Sequence, residues 1–112
     1  MGCRLEELAR LLDALGHPIR LRIVAFLAQR GEAYLAEIAE ALGVSRALAK
    51  VHLKKLESAG VVESRVVVEA VRAVARRYYR LSWRGLVTLS PAEIARIVSE
   101  CKGGGGGGGE DG

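Results

Sequence analysis

Cysteine is scarce in this sequence: among 112 residues only Cys3 and Cys101 carry sulfur ligands, one near each end. That excludes a disulfide framework and a Cys-x-x-Cys zinc pattern, and it fits a reducing compartment. The two thiols are read as unrelated terminal residues, with an oxidation-sensing pair as the alternative if terminal helices bring them together. Two thiols without neighbouring His or Asp leave a tetrahedral site half empty, so no metal and no cofactor is expected. Long apolar runs are missing too. Charged residues punctuate every segment, so nothing approaches the ~20 residues needed to cross a bilayer, and no membrane partner is expected. No basic and apolar leader precedes the first amphipathic segment, which argues for a cytoplasmic location. His52 has no evident Ser, Cys or carboxylate to pair with, so it reads as packed at a helix edge and the protein as no enzyme.

What is present is charge, unevenly placed. Residues 1 to 44 hold five arginines against six acids, residues 45 to 84 hold ten Lys/Arg against three acids, and residues 85 to 112 hold two against four. The net charge of +4 therefore hides a middle segment of +7. A compact positive region on an otherwise balanced chain points to a polyanionic partner.

Apolar spacing predicts a helix over 4 to 15, through Leu5, Leu8, Leu11, Leu12 and Leu15, stopped by Gly16. Pro18 suits the first turn of a second helix that ends at Gly31, and whose Ile19, Ile23, Val24, Phe26 and Leu27 place it centrally. A two-turn helix over 35 to 42 ends at Gly43, Val44 plugs the corner, and Ser45 caps a helix running to about Ala59. On that helix Ala49, Leu53 and Leu56 face inward, while Arg46, Ala47, Lys50, Val51 and Lys54 face outward. The period then changes from 3.6 to 2, which predicts strands near 61 to 68 and 76 to 82. Between them "EAVRAVA" lacks the Gly or Asn of a tight hairpin, so a long loop is expected, one that has room for a helical turn. "SWRGLVTL" is ambiguous and has room for a short strand. Ser90, Pro91 and Glu93 then start a last helix with Ile94, Ile97 and Val98 as its apolar stripe. The order is that of a winged helix-turn-helix: mainly α with a small β-hairpin, about five helices and a two-stranded wing. Residues 1 to 102 form the domain, and 103 to 112 a disordered glycine-rich tail.

In this order the runs "LGHPIRLRIVAFL", "LAEIAEALGVSRALAKVHLKKLESAGVVESR" and "RRYYRLS" make the chain resemble the ArsR-type family of transcriptional regulators, over roughly residues 11 to 82. The resemblance implies a homodimer in which Leu5, Leu8 and Leu12 of the first helix meet Ile94, Ile97 and Val98 of the last. Metal-sensing members have cysteines in the helix that here reads "LAEIAEAL", or His and Asp pairs in the last helix, and this chain has neither.

The expected partner is double-stranded DNA, and the expected role is that of a homodimeric repressor on a near-palindromic site. Ser45, Arg46, Ala47, Lys50, Val51 and Lys54 would lie in a major groove, with Arg46 the best reader of a base. Arg65, Arg72, Arg76 and Arg77, with Arg80, would set a charged wing on the flanking backbone or minor groove. Tyr78 and Tyr79 fall on opposite faces of a strand, and the sequence does not say which faces the core. The rival reading is a winged-helix adaptor that binds other proteins, its basic face being incidental. No small-molecule or redox effector is specified.

Overall fold

Helix caps and apolar periods act within a turn or two of chain, and the helices form where they direct. In the computed structural model, which describes residues 3–83 and 89–105, the order is α1 (Arg4–Leu15), α2 (Pro18–Arg30), β1 (Glu32–Tyr34), α3 (Leu35–Leu42), α4 (Arg46–Ser58), β2 (Val62–Glu69), β3 (Val74–Leu81) and α5 (Pro91–Gly105). The chain divides into two units, Leu11–Arg84 and the terminal segments Met1–Arg10 with Gly85–Gly112.

The larger unit is organised on α2. His17 caps this helix, its Nδ1 accepting the Ile19 N–H at 3.1 Å. Ile23 and Leu27 are buried in one cluster with Ile38 of α3, Leu53 and Leu56 of α4, and Val61, Val62 and Tyr79 from the sheet region. Each such aliphatic side chain gains roughly 1.5–3 kcal/mol by leaving water. That burial, more than propensity, holds α3 and α4, whose 8 and 13 residues would be marginal helices alone.

The sheet has the antiparallel order β1-β3-β2, with Ala33 opposite Tyr79 and Val62 opposite Leu81. β1 adds a third strand to the wing that sequence periodicity does not reveal. Three residues are too few to show a period, and their partners Tyr78–Arg80 lie far along the chain. Pairing sets the phase of β3: Tyr79 turns into the core beside Ala33, and Tyr78 turns to the opposite face with Tyr34.

The expected long wing loop is corrected to a connection of only four residues, Ala70 to Ala73, because Glu69 and Val74 still pair. The Ala73 N–H donates to the Glu69 carbonyl at 2.7 Å, which makes the connection one helical turn. Ala73 holds φ 57, the left-handed conformation the sequence reading reserved for Gly or Asn. An alanine there costs about 1–2 kcal/mol, offset by the strand pairing that the turn closes. Beyond β3, Ser82 and Trp83 are irregular and both donate their N–H to the Val61 carbonyl, at 2.9 and 3.1 Å. The rest of the possible strand in "SWRGLVTL" falls largely on residues 84–88, outside those described.

In the terminal unit α5 starts as its sequence directs, with the Ser90 Oγ accepting the Glu93 N–H at 3.1 Å. The helix runs to Gly105, three residues into the glycine-rich end. The reading of Cys3 and Cys101 as unrelated is overturned: they form a disulfide with Cα atoms 5.7 Å apart. The start of α1 meets α5 there, with the Leu5 N–H 3.4 Å from Cys101 Sγ and Arg4 paired to Glu100 at 3.1 Å. Two cysteines 98 positions apart carry no local signal of pairing. Ile97 is buried within the single chain, whereas Ile94 and Val98 remain 43% and 37% exposed. Among the described residues no helix is long and apolar enough to cross a membrane.

Candidate nucleic-acid interface

The corner between α3 and α4 is built from backbone geometry. Gly43 takes φ 73 and ψ 31, the Val44 N–H donates back to the Ala39 carbonyl at 3.0 Å, and the helix end is closed in the manner of a Schellman turn. Arg22 of α2 donates to the Leu42 carbonyl at 3.2 Å, tying the end of α3 to the central helix. Two residues after Gly43, the Ser45 Oγ accepts the Leu48 N–H at 3.0 Å and starts α4. Ser45→Ala would remove about 1 kcal/mol of this cap. The first turn of α4 is thereby held in one orientation relative to α3.

Ala49, His52, Leu53 and Leu56 are the buried face of α4. Arg46, Ala47, Lys50, Val51 and Lys54 are all exposed. Arg46, Lys50 and Lys54, four apart, make one ridge. Among the described residues none of the three has a carboxylate oxygen within 4.0 Å, whereas Lys55 pairs with Asp13 at 3.5 Å. The sequence reading missed Leu48, which is 41% exposed beside Val51 at 61%. Its spacing carries the signal, since Leu48 falls outside the Ala49, Leu53 and Leu56 stripe and three residues before Val51.

His52 packs rather than reacts. Its ring lies 4.5 Å from that of His17, and its Nδ1 is buried without a hydrogen-bond partner. Burial pushes its pKa below the ordinary histidine value, and the nearby His17 and Arg20 push the same way. A neutral His52 thus fastens α4 to the start of α2.

The wing disposes of its cations differently. Strand alternation places Arg65, Arg76, Tyr78 and Arg80 on the outer face of the sheet with Glu32, Tyr34 and Glu63. Arg65 grips Glu32 with two bonds, at 2.9 and 3.0 Å, and this holds the Glu32 carboxyl below its usual pKa. Arg80 pairs with Glu63 at 2.6 Å, and Arg76 lies 4.6 Å over the Tyr34 ring. Arg72, at the turn, is 4.0 Å from Glu69. Arg77 projects from the other face, where its Nη1 donates to the Ser64 Oγ at 3.0 Å and that hydroxyl donates to Glu57 of α4 at 2.9 Å. Arg76 and Arg77, treated together in the sequence reading, therefore serve opposite faces. The ridge on α4 stays outward with no carboxylate partner among the described residues. No group of three or more potential metal-ligating side chains occurs among the described residues.

The chain as a whole is similar to known proteins. Residues 15–65 match a family model described as a helix-turn-helix domain. Over 77 residues, 69% of this chain and 78% of the relative, the sequence is 36% identical to an HTH-type transcriptional regulator of Methanocaldococcus jannaschii. The solution structure of a homodimeric winged helix-turn-helix DNA-binding domain from Mycobacterium bovis, a possible ArsR-family transcriptional regulator, is similar at TM-score 0.60 and 33% identity, over 88% of this chain and 77% of that one. The transcriptional repressor BigR from Xylella fastidiosa is similar at TM-score 0.59 and 28% identity, over 89% and 87%. The chain therefore belongs to the ArsR-type family of winged helix-turn-helix transcriptional regulators.

Proposed function

We propose that the protein acts in the cytoplasm as a homodimeric repressor, without catalysis, by laying α4 in the major groove of an operator duplex. The observation that carries this reading is the Arg46, Lys50 and Lys54 ridge. Three cations with no carboxylate partner among the described residues stand on a helix whose start is fixed by Gly43 and the Ser45 cap. A major groove admits such a helix, and side chains near its start point to base edges. Arg46 reads a base, Lys50 and Lys54 meet phosphates, and the wing flanks the groove. The Mycobacterium bovis relative is homodimeric; the dimer seam assigned here uses the terminal helices, and on α5 Ile94 and Val98 are left 43% and 37% exposed in the single chain. Leu5, Leu8, Leu12 and Ile97 are assigned to the same seam. Repression is carried over from the Xylella fastidiosa relative's role.

The test has two arms. Selecting duplexes from a random pool, followed by affinity at several salt concentrations, should return a near-palindromic site and binding that weakens steeply with salt. Arg46→Ala should cost about 1–3 kcal/mol and relax preference at one position of each half-site. Binding that neither selects a sequence nor responds to salt would sink this reading and favour a protein-binding adaptor. In the second arm, Ile94→Glu with Val98→Glu should sediment as a monomer, and a variant that stays dimeric moves the interface elsewhere.

A further inference from the structure

Beside the cationic ridge of α4 runs a second, apolar one. Ala47 and Val51 are four residues apart, Leu48 is three before Val51, and Leu48 and Val51 are 41% and 61% exposed. This placement costs the folded protein something. A β-branched valine at an exposed helix position lowers helix propensity, and apolar surface left in water forgoes the gain of burial. Here the two exposed apolar residues stand together on one helix face, directly beside three cations.

The occupant of this ridge must suit both it and its neighbours. Arg46, Lys50 and Lys54 lie alongside, so the covering surface is anionic, with an apolar point between its charges. In the major groove of a DNA duplex the thymine C5-methyl is the apolar group on a base edge, and it is set between two phosphate backbones. Leu48 and Val51 are separated by about 4.5 Å along the helix axis, close to one base step of ~3.4 Å. Leu48 is also held in place, since its own N–H is the one bound by Ser45.

We propose that Leu48 and Val51 read thymine methyl groups at neighbouring base pairs, so that each half-site is specified by thymine through apolar contact as well as by the Arg46 contact. This inference rests on the operator-binding reading above. It makes Leu48 a specificity-determining residue, and it gives the exposed valine a function that helix stability does not explain.

Deoxyuridine differs from thymidine in this groove by the methyl group alone, which gives a direct test. The duplex selected from a random pool is resynthesised with one thymine at a time replaced by deoxyuridine, and affinity is measured for the wild type, Leu48→Ala and Val51→Ala. For the wild type, replacements at two positions per half-site should each weaken binding roughly three- to fivefold, the size of one buried methyl group. Val51→Ala should bind thymine and uracil equally at one of these positions, and Leu48→Ala at the other. If no replacement changes wild-type affinity by more than twofold although a sequence is selected, the inference is overturned and the operator reading stands. Methyl effects that persist unchanged in both alanine variants overturn it as well. If no sequence is selected at all, the operator reading falls first and this inference falls with it. The wild-type series does not depend on whether either variant folds.

Discussion

α4 and the wing draw on the same basic stretch of sequence, yet they present it differently. On α4 the cations at 46, 50 and 54 stand on a helix face with no carboxylate beside them among the described residues. On the wing Arg65, Arg72 and Arg80 each have a carboxylate within ion-pair distance, and Arg76 rests on an aromatic ring. Strand pairing produces this difference. Residues of neighbouring strands stand side by side, so Glu63 and Glu32 both fall opposite Arg80, within reach of the arginines. The outward ridge of α4 has no strand beside it, and on that helix Lys55, off the ridge, is the cation that reaches a carboxylate, that of Asp13. Formal charge along a chain therefore overstates what a hairpin can offer a polyanion and describes a helix face well.

This contrast can be broken or sharpened by mutation. The largest effect is expected for Lys50→Ala with Lys54→Ala. Each lost phosphate contact removes about 0.9 from the logarithmic salt slope, so two contacts weaken binding roughly 60-fold at ~0.1 M salt. Affinity against salt checks this, and an unchanged slope would mean that the ridge does not meet phosphate. Arg77→Ala comes next. Arg77 alone among the wing arginines at 76 and 77 faces the α4 side through Ser64 and Glu57, so its loss should weaken every sequence by about eightfold while Arg76→Ala does less. An equal loss from both would show that the two faces of the wing are equivalent to DNA.

Arg65→Ala should leave duplex affinity nearly unchanged and shift the denaturation midpoint only slightly, since its bond to Glu32 is a solvent-exposed pair. A large loss of DNA affinity would mean that Arg65 abandons Glu32 for phosphate. The smallest effect concerns the buried side of α4. Because the folded His52 pKa lies below its unfolded value near 6.5, the unfolded chain binds more protons as pH falls below that value. Stability contributed by neutral His52 is thus full above about pH 6.5 and declines as pH falls toward the folded pKa. Denaturation midpoints at pH 8 and pH 5.5 should differ for the wild type by more than for His52→Leu.

Much of the molecule was legible in its sequence, for a physical reason. The bounds of α1 to α4, the proline and serine starts, the glycine corner and the outward ridge of α4 depend on interactions within one or two turns, which a local pattern encodes completely. Leu48 was within reach of the same helical arithmetic and was overlooked. Other features depended on residues that meet only after folding. β1 exists because β3 returns beside it, and that pairing turns Tyr79 inward and Tyr78 outward. Arg65 loses its availability to Glu32, 33 positions away, and Cys3 finds Cys101 across 98. The sequence by itself determined which helices form and which cations a helix would display. Only the tertiary structure decided which of the remaining charges and thiols would be partnered, because strand register and the meeting of chain ends are long-range contacts that no local periodicity records.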